Sequence, residues 1–174
     1  MRTLSGRTRK RGRWALVALA AAATMVVPAS PATAATTAGR FTTLPAGEAQ
    51  GLDIGGVAIL TRTSNGTTGR VVVVGLQPGV TYASHLHNQP CSAVNPGGTH
   101  YMNVPGAGTT PPNELWFSSA ADPAAGITAN RAGVAVGNGS ASWVARPDAR
   151  AVIIHAIPVG GTTAGGPKIA CADL

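Results

Sequence analysis

The stretch VAILTRTSNGTTGRVVVVGL, residues 57–76, constrains the fold most. Two runs rich in β-branched residues flank SNGTTG, whose Asn and Gly are the residue types that reverse a chain between antiparallel strands. The pattern continues down the chain. QPG at 77–79 is a second turn, and VTYASHLH at 80–87 is a third strand. ELWF (114–117), GVAVG (133–137), SASWVA (140–145) and AVIIHAI (151–157) are further short strands, with NGS (138–140) as a turn between two of them. No amphipathic helix of useful length follows the N-terminal region. SSAADPAAG has room for one helical turn, bounded by Pro123 and Gly126. Many short strands separated by turn signals predict an all-β sandwich or barrel.

The N-terminal residues are of a different kind. Arg2, Arg7, Arg9, Lys10, Arg11 and Arg13 precede an uncharged apolar run from Trp14 to Val27, and small residues follow at Ala32 and Ala34. A basic start, a short apolar run and an A-x-A site predict a secretory signal peptide over 1–34, cleaved after Ala34. The apolar run is shorter than the ~20 residues of a membrane-spanning helix, which argues against a stable membrane anchor. Residues 35–40 read as a disordered lead, and 41–174 as one domain large enough for a real core. The net charge of +7 follows this division. Six of the thirteen Lys and Arg lie in the signal, with no Asp or Glu, so the mature chain is nearly neutral. That excludes a basic nucleic-acid-binding surface. The Ala- and Arg-rich leader points to a bacterial, exported protein. Cys91 and Cys171 both lie in the exported part, where an even count suggests one disulfide. It would close a loop of about eighty residues, worth ~4 kcal/mol on the chain-entropy model.

Residues 88–113 (NQPCSAVNPGGTHYMNVPGAGTTPPN) have no strand pattern. A loop this long in a compact domain is functional or disordered as a rule. Four histidines follow the signal: His85, His87, His100 and His155. Residues i and i+2 of a strand share a face, so His85 and His87 can offer two imidazoles to one ion while Leu86 points into the core. Imidazole suits copper, zinc, iron and nickel. An H-x-H pair alone is weak evidence, since most such pairs are ordinary surface or core histidines. His155 sits in an apolar strand and His100 in the irregular loop, and each alone reads as readily without a metal.

GLQPGVTYASHLH, PC, GGTHY, RAVIIHA and GGPKIACADL occur in that order. Together they resemble the copper/zinc superoxide dismutase family, from about Val57 to the C-terminus. The resemblance implies an eight-stranded Greek-key β-barrel, an architecture grouped with the sandwiches. It implies that His85, His87 and His155 are copper ligands. His100 matches the histidine that bridges copper and zinc in the family, and on this reading it releases reduced copper and takes a proton. Cys91 and Cys171 match the family's intrasubunit disulfide. Lys168 falls where the family has an arginine that draws superoxide to the copper; a lysine keeps the charge but not the forked donor geometry.

The chain departs from the family at the zinc site. No histidine occurs between Tyr101 and Gly126, and among Asn103, Glu114 and Asp122 the last is the only aspartate. Three of the four zinc ligands cannot be assembled. The segment AIPVGGTTAGGP after His155 is short and uncharged, Thr99 interrupts the G-G-H-Y motif, and the His87–Cys91 spacing is short. These departures place the chain nearer the exported copper-only branch. Without zinc, another group must orient His100; Glu114 is the candidate, with a plain surface glutamate as the other reading. The resemblance thus implies a secreted copper superoxide dismutase, with copper as cofactor, zinc absent, superoxide as substrate, and His100 and Lys168 in catalytic roles. The rival is a non-catalytic copper-buffering protein. A metal-free structural domain and a zinc hydrolase are further readings, the last lacking a placed general base.

Overall fold

The computed structural model describes residues 34–108, 112–156 and 166–174. The predicted signal peptide over 1–34 therefore lies outside the described residues, except for Ala34, as does most of the uncharged segment after His155. Among the described residues no helix is long and apolar enough to cross a membrane.

Eight antiparallel strands form one sheet that curls into a nearly closed barrel. They are β1 (Ala35–Thr43), β2 (Gly55–Thr63), β3 (Gly66–Val74), β4 (Thr81–His87), β5 (Ile127–Thr128), β6 (Ala135–Ala141), β7 (Ala151–His155) and β8 (Lys168–Asp173). Their order is β5-β4-β7-β8-β1-β2-β3-β6. β7 returns beside β4 after β5 and β6, which is a Greek-key connection. The two ends of the sheet meet through residues 115–118. Phe117 N donates to Ser84 O of β4 at 2.8 Å, and Ser118 exchanges both backbone hydrogen bonds with Asn138 of β6. The predicted ELWF strand is thus a single isolated bridge at Trp116, and with the next bridge at Ser118 it closes the barrel.

Three sequence expectations are corrected. Residues 35–40 are ordered: they are the first half of β1, paired with β2 from Ala35↔Arg62 to Arg40↔Val57. Their small polar side chains leave no apolar pattern, because backbone pairing supplies the order there. NGS at 138–140 is not a turn but the middle of β6. Its glycines answer to packing: a Cβ on Gly137 would lie 2.4 Å from Ile127 Cγ2, and one on Gly139 2.4 Å from Trp116 O. GVAVG and SASWVA therefore contribute to one strand where two were expected. The SSAADPAAG turn is a 3-10 turn at Pro123–Ala125, and a four-residue helix, Pro45–Glu48, has no clear sequence signal.

The barrel core contains Leu60, Val71, Leu86, Phe117, Val152, Ile154 and Ile169, all buried. β4 and β7 are buried on both faces. Val152 and Ile154 face the barrel, while Ala151 and Ile153 form a second small cluster with Cys171 and Cys91. The strand alternation thus sends His85, His87 and His155 to the outer face of the barrel wall. The loop after β4 roofs that face.

Candidate metal centre

β4 and β7 supply three imidazoles. Their register pairs His85 with Ile153, His87 with Ala151 and His155 with Ala83. The two alanines leave room beside the rings, and the imidazole planes of His85 and His155 stack at 4.7 Å. The fourth ring arrives from the loop. His100 pairs across from His87, Tyr101 N donates to Leu86 O at 2.9 Å, and Asn88 N donates to Thr99 O at 3.0 Å. Ring centroids of His85 and His100 are 4.0 Å apart.

Gly97 and Gly98 seat the loop. Both have positive φ, and a Cβ on Gly97 would lie 2.7 Å from Ile153 Cδ1. Only glycine meets both demands without strain. Two devices then pin the loop to β8. Cys91 is disulfide-bonded to Cys171, and Cys91 N donates to Asp173 Oδ1 at 2.7 Å. Lys168 Nζ donates to Asn95 Oδ1 and Pro96 O, both at 2.8 Å, and to Gly98 O at 2.5 Å. Behind the site, Arg146 donates to Asn103 O and Met102 O and lies over the Tyr101 ring, holding the segment after His100.

One ligand atom from each histidine lies within 4.8 Å of the other three. His87 Nε2 and His155 Nε2 are 3.3 Å apart, both on the inner side of the cluster. His155 Nδ1 is committed to Gly166 O at 2.8 Å, and His100 Nδ1 to Glu114 Oε1 at 2.8 Å, so each leaves Nε2 for the centre. Among the described residues neither nitrogen of His85 nor Nδ1 of His87 has a partner with full hydrogen-bond geometry, although both rings are buried. Buried polar groups without partners are costly, and a shared ion would satisfy the inward-facing atoms. Two nitrogens ~2.1 Å from one ion are at most ~4.2 Å apart, so the widest pair must close by about half an ångström on binding. The residues fit a metal that favours imidazole, copper among them.

The electrostatics keep His85, His87 and His155 neutral, as ligation requires. Burial, then the neighbouring His87, His100 and His155, push the proton affinity of His85 well below that of an ordinary histidine. Burial, then His155, His100 and Lys168, bring His87 down to about 2. Burial, opposed by the hydrogen bond to Gly166 and reinforced by His100 and Lys168, brings His155 to about 4. His100 is the most accessible of the four, its side chain 19% exposed where His85 and His87 are sealed.

The structure thus brings His85, His87, His100, His155, Glu114 and Lys168 near one another, with the loop that carries His100 tied to β8 by Cys91–Cys171. Glu114 is buried rather than on the surface and contacts His100 directly. Lys168 lies near enough to influence His87 and His155, but its three hydrogens are spent on the loop. Asp122 instead caps the 3-10 turn through Ala124 N. Sequence reasoning missed Trp116, whose indole N–H donates to Glu114 Oε2 at 2.6 Å and whose ring lies 4.8 Å from that of His85. Its position two residues after Glu114 in an extended run was the available signal.

No family model matches the sequence, and no curated protein does. Among solved structures, the chain is similar to a Cu/Zn superoxide dismutase from Brucella abortus, with 19% sequence identity over 80% of this chain and 99% of that chain and a TM-score of 0.48.

Proposed function

We propose that this chain is an exported copper-dependent superoxide dismutase that uses one copper and no zinc. The observation that carries the reading is the cluster of four imidazoles, three buried and held neutral, with the fourth held at a solvent-reachable edge by a carboxylate. Bound there, copper would supply a one-electron couple able to oxidise one superoxide to O2 and, with two protons taken from water, reduce the next to hydrogen peroxide. The chain's own residues do the rest. His85, His87 and His155 present neutral nitrogens and exclude water from three sides. His100 holds Nδ1 against Glu114 and, as the least buried of the four rings, presents Nε2 at the edge that solvent reaches. Lys168 contributes positive charge beside the cluster, which favours an anionic substrate. Export is supported by the basic, apolar, small-residue leader and by the Cys91–Cys171 disulfide, which suits an oxidising compartment.

The competing reading is a copper buffer of the same fold. The full use of the Lys168 ammonium by loop acceptors favours it, because a loop staple serves storage as well as catalysis. Metal analysis of the mature protein, with a superoxide assay on the same sample, separates the two. About one copper per chain with dismutation supports the enzyme. Copper at that level without dismutation supports the buffer. Zinc retained at one per chain after dialysis overturns the copper-only assignment.

A further inference from the structure

We propose that Trp116 is a positioning residue: its indole N–H locks the Glu114 carboxylate in the one orientation that aims His100 at the metal centre. The assignment rests on the four-histidine metal site proposed above, but its primary test needs no metal.

Glu114 is buried, and its carboxylate makes two hydrogen bonds among the described residues. Oε1 is 2.8 Å from His100 Nδ1, and Oε2 is 2.6 Å from Trp116 Nε1. A buried carboxylate needs donors on both oxygens. The two donors differ in kind. The histidine can carry its proton on either nitrogen, so on its own it does not decide the direction of the contact. Indole N–H is a donor only. It therefore fixes Oε2 as an acceptor and holds the carboxylate against rotation, leaving Oε1 free only towards His100. His100 is then the Nδ1–H tautomer, with Nε2 left for a metal.

Local geometry explains the arrangement. Residues 114 and 116 are two apart in an extended run and share a face. Backbone bonds on each side of Trp116 hold that run against β4, from Leu86 N to Leu115 O at 3.1 Å and from Phe117 N to Ser84 O at 2.8 Å. Trp116 lies directly across from His85, with the ring planes tilted by 33°. One side chain thus covers His85 and clamps the group that orients His100. Two of the four imidazoles depend on it, although it ligates nothing.

The test separates the donor from the ring. Trp116→Phe keeps an aromatic face on His85 and removes the N–H. In the metal-free protein at neutral pH, NMR should show slowly exchanging protons on Trp116 Nε1 and His100 Nδ1. In a folded Trp116→Phe, exchange of the His100 Nδ1 proton should be on the order of tenfold faster, and copper(II) affinity by chelator competition should fall about tenfold, as when outer-shell partners of other metal ligands are lost. Unchanged His100 protection in a folded Trp116→Phe would overturn the assignment and leave Trp116 a packing residue. Should that variant not fold, Glu114→Gln gives the answer with Trp116 intact. Its amide has one acceptor oxygen for two donors, so either the Trp116 or the His100 proton should lose protection; both protons protected would overturn the assignment. A chain that shows both protected protons, loses that of His100 in Trp116→Phe, and binds no copper would uphold the positioning role and defeat the metal reading instead.

Discussion

Acidification of the metal-free protein is the most direct probe of the buried imidazoles. In the unfolded chain each histidine titrates near 6.5, whereas in the fold His155 is brought to about 4 and His87 to about 2, burial being the first cause in both. Between these limits the unfolded state binds more protons than the native one, so the free energy of unfolding rises with pH there and falls as the solution is acidified below 6.5. At pH 5, about 1.5 units below the unfolded value, each of these histidines costs about 2 kcal/mol at 1.36 kcal/mol per unit. The pair removes about 4 kcal/mol, and His85 acts in the same direction. That is a large share of the 5–15 kcal/mol that holds an ordinary domain together. Urea unfolding in the presence of a chelator, at pH 7.5, 6 and 5, measures it. Replacing His155 by Gln should recover about 2 kcal/mol of the loss at pH 5. A stability constant within 1 kcal/mol from pH 7.5 to pH 5 would show that the rings take up protons inside the fold, and the account of a sealed cluster would be wrong.

Three further outcomes are expected. The double variant Cys91→Ala/Cys171→Ala opens a loop with a sequence separation of 80 and should lose about 4 kcal/mol in denaturant titrations; a loss under 1 kcal/mol would mean that the loop is held by its other contacts. Gly97→Val places a Cβ against Ile153 at a positive φ and should cost about 1–3 kcal/mol with weaker copper binding, and parental values for both would refute the seating of the loop. Lys168→Glu would set a carboxylate among three acceptor oxygens and dislodge the loop, so Lys168→Arg and Lys168→Gln are the informative pair. With copper loaded, Lys168→Arg should keep dismutation near the parental rate, and Lys168→Gln should lose about fivefold at low salt, roughly a 1 kcal/mol charge effect, and less at high salt; a loss independent of salt would assign the charge to the loop alone.

The site was legible where chemistry and strand period coincide. His85 and His87 stand two apart on a strand, His155 interrupts an apolar strand, and the cysteines number two; none of these alone implied a metal, and only the ordered resemblance of five segments joined them. The all-β class followed from turn residues between β-branched runs. Failures came where backbone or packing contacts replaced side-chain pattern. β1 is ordered through its ladder with β2, which the sequence ATTAGR does not display. Gly139 read as a turn residue because a turn and a close approach both demand a missing side chain, and only the closed barrel tells them apart. Trp116 escaped notice because its importance lies in one N–H aimed at a neighbour, and an aromatic in an apolar run is ordinarily core.

β7 is a party wall. Val152 and Ile154 are built into the barrel, and His155 on the same five residues is built into the site. Two histidines stand on β4, hydrogen-bonded beside it along five register pairs. Both strands are buried on both faces, so unfolding either would breach the barrel, and an ion bound here would have two exits. It can wait for global unfolding, or the roof can lift, and the roof is riveted to β8 by the disulfide and Lys168. The dwell time of a metal here is therefore governed by the kinetics of the loop's fastenings more than by ligand strength. Reductants that open the Cys91–Cys171 bond should speed metal exchange before they unfold anything.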